Sequence, residues 1–280
     1  MIDDRPFEWL TSPASLDRFL QSPIPRVLHV GCGSSRVAEH LCERFGDEIE
    51  HVVNIDCDEE TLAKKRAQND DPRIIYKVVD FCSNDPFAYS DFDLVIDKST
   101  LDCTLCSDNA SAALLALVFR SLRVGGTYLL ISFHSPGLLR PILEYLDWSS
   151  IEEHVMERQT EDWRGRPKEH AAAGTVNVFV CRKGSDMTLL DRDAMVDHIH
   201  RVNDEWFQKE HPLVTQTRRD ALQHAFGSEA LSLKDSYCIL FTEAEREHLS
   251  MEHFLQDWEA FDGGPSMTYE VALAFLQEIQ

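Results

Sequence analysis

The chain has 280 residues, 43% of them hydrophobic, which allows one large domain, or a domain of about 180 residues with an appendage, and excludes wholesale disorder. Its formal net charge of -22 aids solubility, repels phosphate backbones and anionic membranes, and so excludes nucleic acid as a partner while steering in lysine-rich protein segments. Eight scattered cysteines, acids at Asp3 and Asp4 in place of a secretory signal, and no apolar run approaching about eighteen residues lead us to expect a reducing, cytoplasmic setting with no membrane span.

Residues 1–25 read as an approach segment. Trp9 and Leu10 precede Thr11-Ser12-Pro13, and Ser15-Leu16-Asp17 opens a short helix ending near Leu20. Pro23 and Pro25 then forbid helix and hand the chain to a strand. Strand one is 26–30, with Val27, Leu28 and Val30 apolar. The turn Gly31-Cys32-Gly33 follows, and Ser34 or Ser35 is placed to cap a helix over 36–45. Strand two is 51–56. Asp58-Glu59-Glu60 opens a helix reaching Asn69, its acids at the positive end of the helix dipole, and Pro72 breaks it. Strand three is 74–80, and strand four, 92–97, is almost wholly apolar inside, as a sheet covered on both faces requires. A helix over 109–123, with Leu115, Phe119 and Leu122 on one face, is expected to stop at Gly125-Gly126 before strand five at 127–133. A helix over 136–146 precedes two extended runs, 151–159 and 175–182, the second alternating as Val176, Val178, Val180; the polar link 160–173 reads as an exposed hairpin loop.

The pattern predicts an α/β fold: a doubly wound, mostly parallel, seven-stranded Rossmann-like sheet with an antiparallel last strand. From Gly184 the strand signal fades and helical patterns appear at 189–209, 217–226, 242–259 and 268–279, with 19 acidic against 7 basic residues. We therefore divide the chain into the approach segment 1–25, a ligand-binding domain 26–183 and an acidic α-helical C-terminal extension 184–280.

Gly31 and Gly33 allow a tight turn and close approach of a ligand to the backbone, with a helix N-terminus beyond. A dinucleotide fold would place a third glycine where Arg36 stands. The turn therefore suits a sugar or amino-acid moiety rather than a pyrophosphate. Asp56 ends strand two at the carboxyl edge, where ligands of open α/β sheets bind, and can accept both ribose hydroxyl protons of an adenosine. Its plainer role, capping the next helix, is open to Asp58 as well. Asp80 ends strand three beside Phe81, an acid to reach an adenine amino group and an aromatic to cover the base. Phe7 and Trp9 either close over a ligand or pack on the sheet flank, the commoner fate. Cys103 and Cys106 form a lone C-x-x-C without the second pair a zinc site needs, and 257–264 lacks the calcium-loop spacing, so no metal is expected. His198, His200, His248 and His253 fall on helical patterns as surface or interhelix residues.

The blocks HVGCGSS, VVNIDCDEE, YKVVDFCS, FDLVIDKSTLDC and LRVGGTYLLISF, in this order and spacing over 26–183, resemble class I S-adenosylmethionine-dependent methyltransferases. FDLVIDKSTLDC is similar to the VIDKGTLDA block of the lysine methyltransferases that act on translation elongation factors, a group that includes N-terminal methylating members. GCGSS is similar to that group's GCGNS, and NIDCDEE to its NIDFSE. The resemblance implies S-adenosyl-L-methionine as cofactor, with Gly31, Cys32, Gly33, Asp56, Cys57, Asp80, Phe81 and Asp97 binding it. It also implies Asp97, Lys98 and Asp102 as catalytic residues, lining with Thr100 the place where methyl group and acceptor meet. The family's usual acid two residues before the first glycine is His29 here.

Methyl transfer from a sulfonium is an in-line displacement in which the protein supplies alignment and desolvation. An amine acceptor must be neutral to attack, and Asp97 or Asp102 could hold its ammonium form and relay the proton. The plainer reading of Asp102 is a cap for the helix beginning near Asp108, and that of Lys98 a pair with a neighbouring acid. His134 follows strand five at the same edge and is a candidate to touch substrate. The expected activity is methylation of a lysine or N-terminal amine in a protein with a basic, lysine-containing segment. The alternatives are a small-molecule methyltransferase and a non-catalytic interaction module on the same fold.

Overall fold

The computed structural model describes the chain apart from residues 1–7, 83–89, 159–173, 186–190, 211–215, 228–229, 243–245, 247–248, 262–263 and 279–280; the hairpin loop expected at 160–173 and Phe7 lie outside the described residues. The chain divides into two compact units, Met1–Asn203 and Asp204–Gln280.

The first unit is built on β1 (Arg26–Val30), β2 (His51–Asp56), β3 (Ile74–Val78), β4 (Phe92–Lys98), β5 (Leu122–Ser132), β6 (Trp148–Glu157) and β7 (Thr175–Lys183). They form one sheet in the order β3-β2-β1-β4-β5-β7-β6. β1 pairs in parallel with β2 and β4, β2 with β3, and β4 with β5, whereas β7 runs antiparallel to both its neighbours. The fold is the expected doubly wound sheet. The chain winds outward from β1 to β3, then returns to place β4 on the other side of β1. The carboxyl ends of β1 and β4 thus flank the point where the winding reverses, where such sheets leave a crevice.

Alternation along the strands builds a core on each face. Val27, Val52, Leu94, Ile96 and Leu129 join Leu41 of α1 (Val37–Phe45) in one buried cluster, with Leu10 and Leu16 of the N-terminal segment. Leu28, Val53, Val95 and Leu130, which alternate with them, are also fully buried, as are Leu115 and Phe119 of a later helix. Strands covered on both faces need apolar residues at consecutive positions, which is why β1 and β4 read as near-continuous apolar runs. The short helix of the approach segment is a 3-10 turn over Pro13–Phe19.

α2 (Glu59–Gln68) is capped by Asp58, whose carboxylate accepts from the Glu60 and Thr61 amides at 3.0 and 3.3 Å. At the start of α1 the Ser35 hydroxyl accepts from the Val37 amide at 3.4 Å, and the Arg36 amide donates to Glu8 at 2.6 Å, so the approach segment bonds that helix start as well. A five-residue helix, α3 (Thr100–Thr104), precedes α4 (Asp108–Ser121), followed by α5 (Pro136–Leu143) and α6 (Arg192–Glu210). α4 ends before Gly125-Gly126, which lie inside a longer β5 than expected. They serve a bulge rather than a helix stop: Gly125 has φ +77°, a Cβ on Gly126 would lie 2.9 Å from the carbonyl oxygens of Arg123 and Phe92, and the β4–β5 register shifts between Phe92 and Leu94. β6 starts early, at Trp148, whose ring stacks on Tyr128 and meets Phe119 edge-on.

In the second unit, α7 (Gln216–Phe226), α8 (Leu233–Leu240), α9 (Met251–Ala260) and α10 (Tyr269–Glu278) surround a core that includes Phe226, Phe254, Trp258 and Phe275. Of the helix expected over 242–259, the described residues hold α9 from Met251, whereas α8 lies ahead of that span and was not expected. Each begins at a serine, Ser232 or Ser250, whose hydroxyl accepts a first-turn amide. A two-residue antiparallel pair, β8 (Leu231–Ser232) with β9 (Ser266–Met267), also had no counterpart in the pattern of the sequence.

Candidate functional site

β1 delivers the glycine turn to the crevice. Gly31 and Gly33 both take positive φ, +58° and +48°. At Gly31 the need is also spatial, since a Cβ there would lie 2.1 Å from Thr100 Oγ1, and that hydroxyl donates to the Val30 carbonyl at 2.9 Å. The Cys32 amide bonds the Ile55 carbonyl, tying the turn to β2. The Gly33 amide donates to Asp56 Oδ2 at 2.8 Å, and the Asp58 amide to Asp56 Oδ1 at 3.0 Å. With Asp58 capping α2, Asp56 is spared that role and holds the turn against the sheet edge.

A cavity of about 340 Å³ opens at this edge. Its wall includes Gly31, Asp56, Cys57, Phe81, Lys98 and Thr100, six residues singled out in the sequence, together with Trp9. Ile55, Val79, Ser99, Cys103 and Thr104 complete it. The volume is that of a site for a small organic molecule. Ile55, Val79, Phe81 and Trp9 give it apolar surfaces fit for a flat base, and Asp56 adds a carboxylate beside the turn.

Asp97 and Asp102 are buried and not on this wall. Asp97 is fully buried and accepts from the Thr100 amide at 2.7 Å, the Leu101 amide at 3.2 Å and the Tyr128 hydroxyl at 2.8 Å. Burial raises its carboxyl to about 7 against these bonds. It anchors the start of α3 and so places Thr100. The hinge between them, Ser99, is left-handed at φ +72°, a conformation a non-glycine residue keeps only when its surroundings hold it there. Asp102 is buried too. It takes hydrogen bonds from Ser99 Oγ at 2.8 Å, from Ser132 Oγ and from the Phe133 amide, tying α3 to the end of β5. The cap of α4 is Ser107. Asp80 accepts from the Cys82 amide at 2.9 Å; Asp80, Cys32 and Gly33 are not on the wall, and Cys32 is buried with its thiol pushed well up by desolvation.

Lys98 pairs with a neighbouring acid, Glu8, and donates to Ser35 Oγ at 3.1 Å. Glu8 was not singled out; the only hint was an acid among aromatics in a segment that looked like an approach. His29 is buried, its Nδ1 3.2 Å from Asn54 Oδ1, and its imidazole is lowered to about 3 by desolvation and by the Lys98 charge. It is therefore neutral and does not stand in for an acid. His134 is not on the wall; its carbonyl accepts from Asn177 Nδ2 at 2.8 Å. His198 and His200 bond the Pro141 carbonyl and the Asp108 carboxylate. Among the described residues no group of three or more His, Cys, Asp or Glu is arranged to hold a metal ion.

Comparison with known proteins bears on this edge of the sheet. Residues 27–126 match the family model described as methyltransferase domain, a span from β1 into β5 that includes most of the cavity wall. The chain is 32% identical over 144 residues to the eEF1A lysine and N-terminal methyltransferase of Bos taurus, a match over 48% of this chain and 20% of that protein. It is 27% identical over 189 residues to the protein of the same name from Danio rerio, over 64% of this chain and 26% of that one. The chain thus spans about a quarter or less of the length of these relatives. Among solved structures, a TehB-like SAM-dependent methyltransferase from Corynebacterium glutamicum superposes with a TM-score of 0.44 at 19% identity, over 61% of this chain and 86% of that one.

Proposed function

We propose, on the premise that residues 27–126 form a methyltransferase domain, that this chain transfers a methyl group from S-adenosyl-L-methionine to an amine, a lysine side chain or an N-terminus, of a protein with a basic segment. The observation that carries the reading is the cavity at the winding reversal, where the Gly31 turn, Asp56, Phe81 and Thr100 meet.

The residues present fit the cofactor. Gly31 gives the cavity a stretch of bare backbone, the place a Cβ would take being filled by the Thr100 side chain. Asp56 is placed to accept from ribose hydroxyls, Phe81 and Val79 to cover the base, and the turn to receive the amino-acid moiety. When bound, S-adenosylmethionine supplies an electrophilic methyl group on a sulfonium. The protein's part is alignment and exclusion of water, with Trp9 and Thr100 closing the wall. Asp97 and Asp102 act by holding α3, and with it Thr100, in place; neither faces the cavity as a base. Support for a protein acceptor comes from the name of the relatives and from the net charge of -22, which draws basic segments. The eight cysteines are all free thiols, in keeping with a cytoplasmic setting, and among the described residues no helix is long and apolar enough to cross a membrane.

Titration calorimetry with S-adenosylmethionine and S-adenosylhomocysteine tests the cofactor, and transfer of labelled methyl to lysate proteins, read on a gel, tests the acceptor. Binding of both cofactor forms and labelled protein bands are expected. Heat from neither cofactor form would sink the proposal; binding with label only in small molecules would move the acceptor class.

A further inference from the structure

The approach segment reaches into the site through one buried ion pair. Glu8 and Lys98 are about 8% and 5% exposed at their side chains and sit 90 residues apart in the sequence. The carboxylate also accepts from the Arg36 amide at 2.6 Å and from Ser35 Oγ at 2.9 Å. Glu8 is thus clamped to the first turn of α1, just beyond the glycine turn. Lys98 lines the cavity, and so does Trp9, the residue after Glu8.

We propose that Glu8 sets the charge selectivity of the cavity: it neutralises the ammonium in the wall, so that the cavity accepts a cationic ligand, and the same bonds seat Trp9 in that wall. This rests on the cofactor reading above. A sulfonium carries a fixed positive charge that no proton loss can relieve. An unbalanced ammonium in a wall with little water repels it, and desolvation strengthens the repulsion. His29, on the same side of the sheet and influenced by the Lys98 charge, is neutral and supplies no balancing anion. Asp56, also on the wall, accepts from the Gly33 and Asp58 amides, which hold its charge at the glycine turn. Glu8 is a carboxylate in direct contact with Lys98. A chain with an acid at position 29 would have a negative charge from β1 itself; here it arrives from the approach segment.

The two forms of the cofactor separate this role from simple clamping. S-adenosylhomocysteine has nearly the same shape but a neutral thioether. Loss of a clamp weakens both ligands alike, whereas loss of charge balance weakens the sulfonium form more. Calorimetry on the full chain would compare S-adenosylmethionine, S-adenosylhomocysteine and an analogue with an amine in place of the sulfonium, with melting curves to confirm folding. In Glu8→Gln the affinity for S-adenosylmethionine is expected to fall about tenfold more than that for S-adenosylhomocysteine, the order of one uncompensated charge across a cavity wall. The amine analogue should follow S-adenosylmethionine. In Glu8→Gln/Lys98→Met, which removes both charges, the ratio should return to that of the wild type. Should Glu8→Gln not fold, Lys98→Met alone must shift the ratio the other way, toward the cation. A ratio unmoved in these variants overturns the proposal and leaves Glu8 a clamp. Failure of the wild-type protein to bind any of the three counts against the cofactor reading instead.

Discussion

His29 and Asp97 lie on adjacent strands, both buried, and burial drives them in opposite directions on the pH scale. His29 is lowered to about 3 from 6.5, so the unfolded chain binds a proton that the folded chain refuses. Its share of stability is full above about pH 6.5 and is lost as pH falls toward 3, at up to about 1.4 kcal/mol per pH unit. Asp97 is raised to about 7 from 3.8, so the folded chain keeps a proton that the unfolded one releases. Its share is full below about pH 4 and is lost as pH rises through 7. Urea unfolding across this range should show a flatter acid limb for His29→Leu, and a smaller loss between about pH 4 and 7 for Asp97→Asn, than for the wild type. Curves parallel to the wild type would refute both assignments. Asp56 offers a test on binding. Asp56→Ala removes the partner of the Gly33 amide as well as the ribose acceptor, while Asp56→Asn keeps an oxygen for Gly33 and loses the charge. Both should weaken S-adenosylhomocysteine by about tenfold or more in calorimetry, and Asp56→Ala should also lower the melting temperature.

Among the elements, the turn after β1 and the short α3 form one unit. Gly31 and Gly33 share a left-handed backbone, yet they differ in what surrounds them. A Cβ on Gly31 meets Thr100 side-chain atoms at 2.1, 2.7 and 2.9 Å, whereas a Cβ on Gly33 meets nothing within 4 Å. Gly33→Ala should cost only the backbone penalty, about 1–2 kcal/mol. Gly31→Ala adds a clash with a β-branched side chain that is itself bonded to the Val30 carbonyl, so its cost in chemical denaturation should exceed that of Gly33→Ala by at least about 1 kcal/mol, with loss of cofactor binding. Equal costs would show that Thr100 moves aside freely. α3 itself is held from outside: Asp97 takes its first amides, and Asp102 ties it to Ser132 and Phe133. Both acids that the resemblance marked as catalytic bond the segment carrying Thr100 and Cys103.

For the whole molecule, the buried cluster of Val27 and Leu41 in the first unit and that of Phe254 in the second share no residue. In the unit Asp204–Gln280, Phe254 is fully buried and its ring meets those of Tyr237, Phe241, Trp258 and Phe275. Phe254→Ala should cost that unit about 3–5 kcal/mol. Hydrogen exchange should then quicken in α8, α9 and α10 while the amides of β1 and β4 keep their protection. Uniform quickening would mean that the two cores unfold together. The net charge belongs to this scale as well. If a basic segment is the acceptor, raising the salt to about 0.5 M should raise KM for it and leave cofactor affinity nearly unchanged, because screening acts on exposed charges and hardly on the cavity interior.

The sequence by itself determined the sheet. Apolar runs at β1, β2 and β4, punctuated by glycine, proline and capping acids, predict both the strands and their winding, because period and punctuation are local properties of the chain. It also marked Gly31, Asp56, Cys57, Phe81, Lys98 and Thr100, which the fold brings to one cavity. What it left open depends on contacts between distant residues. That Asp97 and Asp102 turn inward follows from the left-handed Ser99 and from Tyr128 and Ser132 on the next strand. That Gly125-Gly126 make a bulge follows from the Phe92 carbonyl across the ladder. And that Lys98 meets Glu8, 90 residues earlier, could be decided only by the folded chain, because burial obliges a charge to find a partner without specifying where in the sequence that partner lies.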